Sequence, residues 1–502
     1  MIRKQIKFRA FFAFILVFGA FLRILTFFKE FSGDEARIFR VTLGLRELIH
    51  NVCTTDVFPP LSYIFLYFWT NLFSIHYVRL YFILFGLATV VLIYFMVKDA
   101  FGKKVALIGV AISSFSPLLI WASGYARSYI DSGFFALLAT FLLFKIIKND
   151  NKISLYFFYA IVALISLYMF YYNLFVIIAH SIYFLFTKRR RITAIFRWVI
   201  GQVFMILVFS PWVLVAYKQI NFNATNVSDY IDLRGFQIFG FHIGIFLRNI
   251  AAIFGADPYF LNSQELSSLN YGLLIVLLCI IVLFISIFIY RKYSILKDKE
   301  FLQRNAYLFF IIFILLFTMI LGEFINLLPR PRYQVVLHVF FIIIFSKFLF
   351  DTYLRNKSIL FVIITFVVFF YSFRIGLGAL KPEVEYSVAY KYLQSNIKKD
   401  DCLVATRFIR DISTFNDIKI IEVDSYFEDA IGASGCYTSF KKGKFDDLKN
   451  KICVCRRILL LNHAYDEFSG ANDLITNFIK EMGFRIKNSK YFKGMSFFEF
   501  IK

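Results

Sequence analysis

Acidic charge is the scarcest resource of this 502-residue chain: 33 Asp and Glu stand against 56 Lys and Arg, and charged residues make up only 18% of the total. Eight prolines and 23 glycines are too few for a collagen-like or disordered chain, so most of the sequence is expected in regular structure. Six cysteines in this length exclude a small disulfide-framed scaffold. A glycine-rich phosphate loop, a dinucleotide fingerprint and an internal repeat are all missing. What fills the chain is hydrocarbon: 60% hydrophobic residues, 69 of them Phe, with a mean hydropathy of +0.69. Soluble domains hold about 45–50% apolar residues. The net charge of +23 could suggest nucleic acid, whose binders concentrate basic patches on a polar fold. Here the basic residues sit in short clusters between long apolar runs, as in the cytoplasmic loops of a polytopic membrane protein.

A hydrocarbon core of about 30 Å requires roughly 20 apolar residues in a helix. On that length the sequence predicts about eleven transmembrane helices, near 8–28, 78–97, 104–121, 129–147, 154–172, 174–187, 195–217, 270–290, 305–325, 333–350 and 357–376. The first is too long, and lacks the small-residue cleavage site, for a removable signal peptide. The apolar stretch 60–73 decides the topology. Left as an interfacial helix on the outer face, it allows the basic segments 1–9, 98–104, 145–152, 188–197, 291–304 and 347–357 to share one side, which the positive-inside rule makes cytoplasmic. The N-terminus is then cytoplasmic and the C-terminus extracytoplasmic. The first outer loop is 29–77, within a transmembrane module of residues 1–377.

Residues 378–502 differ in composition: from Lys381 onward 20 basic residues nearly balance 17 acidic ones. Short β-like runs at 402–406, 418–423, 457–462 and 496–500 alternate with helix-like stretches at 384–396 and 471–482, predicting a small extracytoplasmic α/β domain. Cys53, Cys402, Cys436, Cys453 and Cys455 fall on the outer side, where disulfides are permitted, although spacing leaves the pairing open. Cys453 and Cys455 have no histidine at ligand spacing.

Ionisable groups gather at the outer helix ends rather than at mid-membrane, where a transporter keeps its site. Ser32-Gly33-Asp34-Glu35-Ala36-Arg37 follows the first span. Two adjacent carboxylates near hydrocarbon suit a general base, and Arg37 suits an anion. Equally, Asp34 can be a helix N-cap. Tyr125-Ala126-Arg127-Ser128-Tyr129 precedes Asp131, which is placed to pair with Arg127 on one helical face. Alternatively, the planar guanidinium of Arg127 receives a phosphate between the two tyrosines. Pro329-Arg330-Pro331-Arg332-Tyr333 sets two cations on the outer side, against the positive-inside bias, which an anionic headgroup or simple snorkelling would explain. Asp56 precedes Phe58-Pro59-Pro60-Leu61, where the prolines suit a helix start. His180 and His338 stand alone in spans and read as packing residues.

In this order the pieces resemble the GT-C membrane glycosyltransferases that use polyprenyl-phosphate sugars, in particular the protein O-mannosyltransferase-like family and the aminoarabinose transferases acting on lipid A. The resemblance rests on Asp34-Glu35-x-Arg37, Pro59-Pro60-Leu61, Arg79, Tyr125-Ala126-Arg127-Ser128-Tyr129 and Arg332-Tyr333. It departs from the family at Phe58, where His or Lys often precedes the prolines, and at His338, near where a proline usually stands. The resemblance implies a GT-C fold in the cell membrane and inverting transfer of a sugar from a polyprenyl-phosphate donor to a protein, lipid or glycan acceptor of the cell envelope. Asp34 and Glu35 would be catalytic. Arg37, Asp56, Arg79, Tyr125, Arg127, Tyr129, Arg330, Arg332 and Tyr333 would line the carrier-phosphate and substrate site. No cofactor is required, a divalent metal near Glu35 or Asp56 is possible, and the other partners are membrane lipids, not nucleic acid. A flippase of lipid-linked sugars and a noncatalytic receptor or scaffold are the rival readings.

Overall fold

A long apolar run without proline has one stable form in lipid, a helix that satisfies its own backbone. The computed structural model follows that rule. It describes residues 2–28, 35, 38, 41, 44–56, 58–226, 237–238, 241–242, 253, 331–355, 392, 395–398, 401–405, 419–422, 427–428, 439–440, 445–453, 455–463, 469–492 and 495–502. The chain divides into two compact units: Met1–Phe28, Ile49–Gln219 and Arg234–Leu380 form one, and Lys29–Leu48, Ile220–Leu233 and Lys381–Lys502 the other.

The first unit is helical. In chain order its helices are α1 (Ile2–Leu25), α2 (Leu45–Thr55, whose first turn falls in the other unit), α3 (Leu61–Phe73), α4 (Val78–Phe101), α5 (Lys103–Phe115), α6 (Pro117–Gly124), α7 (Ile130–Lys148), α8 (Ile153–Met169), α9 (Asn173–Lys188), α10 (Ile192–Asn226, which runs on past this unit) and α11 (Val335–Arg355). Three segments among the described residues are long and apolar enough to cross a membrane: Ile75–Phe101, Ile130–Lys148 and Ile192–Gln219. The pair α5 and α6 makes a fourth, bent by 54°. Leu61–Phe73 is a shorter helix of 13 residues that buries Ser62, Tyr63 and Leu66 and exposes Phe68, Leu72 and Phe73. The spans expected at 270–290, 305–325 and 357–376, and the boundary near 377, lie outside the described residues.

Two expected spans differ from what forms. The run 104–121 breaks at Ser116, whose extended backbone caps α6 through its hydroxyl, accepting from the Leu119 N–H at 3.3 Å. Pro117 has no N–H to offer the Ser113 carbonyl, so that group needs another donor. Arg23 supplies it: Nη2 donates to Ser113 O at 2.9 Å, Nη1 to Ser114 O at 2.9 Å and Gly19 O at 3.0 Å, and Nε to Ser123 Oγ at 3.2 Å. A fully buried guanidinium thus stitches the break. His338 of α11 braces it, with Nε2 at 2.6 Å from Ser116 Oγ and Nδ1 at 2.6 Å from Ile253 O. The run 154–172 also stops early. Phe170 is extended, and Tyr171 and Tyr172 turn the chain into α9.

Small residues let these helices approach. A Cβ on Gly86 would overlap Ser123 Oγ and lie 3.3 Å from Arg23 Nε; one on Gly124 would overlap Thr26. Gly86→Ala is therefore expected to destabilise by about 1–3 kcal/mol through overpacking, read as a lowered midpoint in detergent unfolding. An unchanged midpoint would show that the Ser123 contact yields freely.

In the second unit a five-stranded sheet is formed by β1 (Cys402–Ala405), β2 (Lys419–Glu422), β3 (Arg457–His463), β4 (Arg485–Phe492) and β5 (Met495–Ile501), in the order β2-β1-β3-β5-β4. The first three are parallel, with Cys402 opposite both Lys419 and Ile458. β5 runs antiparallel to β3 and β4. Helices α12 (Phe445–Cys453) and α13 (Ser469–Glu481) pack Leu448, Ile452, Ile475, Phe478 and Ile479 with Ile458, Leu460 and Phe500 of the sheet. Arg457 ties one end, donating to Asp401 Oδ2 and Glu499 Oε1, each at 2.9 Å. Cys402 and Cys455 form a disulfide. Closing a loop across 53 positions, it is worth about 4 kcal/mol in chain-entropy terms. Cys402→Ser should accordingly lower this unit's thermal midpoint and expose it to protease. Equal protease resistance would contradict that role.

Candidate active site

Two short segments converge in the first unit. One runs from Asp56 into α3. Its carboxylate accepts the Phe58 N–H at 3.3 Å, an Asx-type turn that aims the chain at Pro59 and Pro60. Pro60 then caps α3, its carbonyl accepting from Ile64 N at 3.0 Å. One turn into α3, the Tyr63 hydroxyl returns to Asp56 Oδ2 at 2.7 Å. Gln219 of α10 anchors the same segment, its Nε2 donating to Val52 O at 2.8 Å and Phe58 O at 3.4 Å.

The other segment joins α6 to α7. Backbone bonds from Arg127 N to Tyr125 O at 2.8 Å and from Tyr129 N to Arg127 O at 2.7 Å make two successive tight turns. They send Tyr125 and Tyr129 to one side, where their rings stack on Trp121 at centroid distances of 4.6 and 5.8 Å. The Arg127 side chain reaches Asp56 instead, with Nη1 at 3.3 Å from Oδ2 and Nη2 at 3.4 Å from Oδ1, and it also bonds the Tyr63 hydroxyl. Its guanidinium lies 4.6 Å from the centre of the Phe58 ring. Asp56 is 1% exposed and Arg127 4%, so this is a fully desolvated, bidentate pair. Its contacts are longer than the roughly 2.7–2.9 Å of a tight charge-assisted bond.

Asp131 is not the partner of Arg127. Its carboxylate accepts from Ser62 Oγ at 2.6 Å, Ser128 Oγ at 3.1 Å and Ser132 N at 2.9 Å. Consecutive residues of α3, Ser62 and Tyr63, thus grip Asp131 in the first turn of α7 and Arg127 in the connection before it. Tyr333 completes the surroundings, its ring 6.0 Å from Tyr129, 6.4 Å from Phe58, 5.4 Å from Phe170 and 5.6 Å from Tyr172. The result is a buried guanidinium and carboxylate beside an aromatic enclosure, a setting suited to an anion attached to a ring or a chain.

Five of the residues expected at the site, Asp56, Tyr125, Arg127, Tyr129 and Tyr333, come together here. Arg79 is buried in the first turn of α4, and Arg332 is half-buried in the turn Pro331–Gln334. Glu35 is buried in the second unit. Asp34, Arg37 and Arg330 lie outside the described residues. Sequence reasoning misses Tyr63, Ser62 and Gln219. Ser62 and Tyr63 carry a signal, because they fall one and two residues after Leu61 on a helix whose start the prolines mark. Gln219 carries none, as its role depends on where the far end of α10 arrives. Among the described residues no three His, Cys, Asp or Glu side chains gather as a metal site. Asp56, already facing a guanidinium, does not suit a divalent cation.

His180 is a packing residue, with Nε2 at 2.9 Å from Thr140 Oγ1 and Nδ1 at 3.1 Å from the Tyr159 hydroxyl.

The fold that holds this arrangement is shared with the solved structures of ArnT. More narrowly, residues 58–215, which carry Arg127 and most of the enclosure, match the dolichyl-phosphate-mannose-protein mannosyltransferase family. The structure is similar to ArnT from Cupriavidus metallidurans in the apo state, at 10% identity over 99% of this chain and 98% of that one, with a TM-score of 0.55. ArnT bound to undecaprenyl phosphate gives 0.53, at 10% identity over 98% of both chains. The oligosaccharyltransferase of Archaeoglobus fulgidus, solved with Zn and sulfate, gives 0.49 at 11% identity, over 89% of this chain and 67% of that one. No curated protein matches in sequence.

Proposed function

We propose that this chain transfers a sugar from a polyprenyl-phosphate donor to an acceptor at the outer face of the cell membrane, with inversion at the anomeric carbon. The buried, bidentate Arg127 fork within its aromatic enclosure is the observation that carries this reading. The planar guanidinium of Arg127, held in place by Asp56, would meet an oxygen of the carrier phosphate alongside that carboxylate. As the bond to the sugar breaks, negative charge collects on the leaving phosphate, and a guanidinium already in place lowers that barrier without reorganisation. Asp56 and Tyr63 orient the guanidinium, and Tyr125, Tyr129 and Tyr333 would wall the sugar. Arg37, Arg79, Arg330 and Arg332 are proposed to share the carrier charge.

Asp34 is proposed as the base that takes the acceptor's proton, with Glu35 beside it, on the strength of the family resemblance. Asp56 is less suited to that task because its oxygens already accept from Arg127, Tyr63 and the Phe58 N–H. The exposed apolar side chains of α3 fit a helix lying at the outer interface, and the Cys402–Cys455 disulfide fits an oxidising, extracytoplasmic location for residues 378–502.

Sealed, inside-out membrane vesicles provide the test. A labelled polyprenyl-phosphate sugar added outside should label an envelope acceptor only after the vesicles are permeabilised. Movement of the labelled lipid across the bilayer without acceptor labelling would favour a flippase and overturn the proposal.

A further inference from the structure

The basic turn between α9 and α10 has no part in the reading above. It carries four consecutive cations, Lys188-Arg189-Arg190-Arg191. Asp150, buried between α7 and α8, gathers the outer two: Lys188 Nζ donates at 2.8 Å, and Arg191 Nη1 donates to both carboxylate oxygens, at 2.8 and 3.0 Å. Arg197 adds bonds to the backbone carbonyls of Asp150 at 3.0 Å and Asn151 at 3.3 Å. The hydrogen bond from Lys188 holds the Asp150 carboxyl below the usual carboxylate range, so the anchor stays ionised at neutral pH.

With Lys188 and Arg191 paired to one carboxylate, Arg189 and Arg190 stand exposed at the tip of a braced turn with no part in that pairing. Apolar side chains flank them in the open: Phe186 is 73% exposed and Ile192 81%, and Phe196 is exposed as well. The Arg189 guanidinium lies over the Phe186 ring at 5.8 Å. Two exposed guanidinium groups beside exposed hydrocarbon fit a ligand that is a phosphate anion at one end and an acyl chain at the other. A soluble phosphate would match the cations and leave Phe186 and Ile192 in water.

We infer that this turn binds the headgroup of an anionic phospholipid, with Arg189 and Arg190 on the phosphodiester and Phe186 and Ile192 against an acyl chain. The guanidinium pair supplies charge-assisted hydrogen bonds, and the surface potential of an anionic leaflet adds to them. Asp150 is the positioning residue, because it fixes the turn on which the two arginines stand. The inference is independent of the proposed sugar transfer.

Native mass spectrometry of the intact protein, released from bilayer discs of phosphatidylcholine doped with phosphatidylglycerol, tests it. The expected result is retention of phosphatidylglycerol over phosphatidylcholine, reduced about fivefold or more in the Arg189→Gln/Arg190→Gln variant, with the thermal midpoint unchanged. Asp150→Asn should give an intermediate loss, and millimolar inorganic phosphate should not displace the lipid. Equal retention of the two lipids, full retention by the double variant, or displacement by inorganic phosphate would each overturn the inference. Should the glutamine variant fail to fold, Arg189→Lys/Arg190→Lys provides the same reading, since lysine keeps the charge but loses the planar fork.

Discussion

Arg127→Ala is expected to lower sugar transfer by a factor of about 100 to 1,000, the usual loss when one preorganised group that stabilises developing charge is removed. The loss should fall on both donor affinity and turnover, because the fork meets the phosphate before reaction and meets more charge on it during reaction. Arg127→Lys should recover little, since an ammonium cannot span two oxygens in one plane. Stability complicates the single variant: it leaves the Asp56 carboxylate buried without its cation, a cost of about 3–5 kcal/mol. The double variant Arg127→Met/Asp56→Leu avoids this by removing both charges. Full stability with no transfer in the double variant is the expected pattern. Full stability with wild-type transfer would reduce the pair to a structural contact between α3 and the α6–α7 turn.

Asp34→Asn is expected to abolish transfer while leaving expression, membrane insertion and the thermal midpoint unchanged. Asparagine preserves shape and can still cap a helix, so a structural role would survive the change. A general base contributes about 100- to 10,000-fold, and an asparagine amide cannot take the acceptor's proton. Donor binding should persist in this variant, in contrast to Arg127→Ala. Transfer at the normal rate would remove Asp34 as the base.

How much of this is legible in the sequence depends on the range of the interactions. Local patterns read well: α3 begins at Leu61, where the two prolines place it, and β1, β2, β3 and β5 lie within a residue or two of the β-like runs. The strand Arg485–Phe492 escapes such a reading because it is an edge strand with exposed, charged side chains rather than an alternating apolar face. The break at Ser116 escapes it too, since hydropathy is blind to one proline within an apolar run, although Pro117 is there to be weighed. At the site, residue types and positions are readable, but partners are not. Arg127 has a carboxylate four residues away, and it takes one 71 residues away instead. Tertiary contacts make that choice: Ser62 of α3 bonds Asp131, and Tyr63 beside it bonds Asp56.

The central claim is chemical, and comparative mass spectrometry of envelope glycans and lipids addresses it whatever the acceptor is. Cells lacking this protein should lose one discrete sugar modification, which returns with the wild-type chain but not with Asp34→Asn or with Arg127→Met/Asp56→Leu. An identical glycan profile with and without the protein, or restoration by the Asp34→Asn chain, would contradict the account.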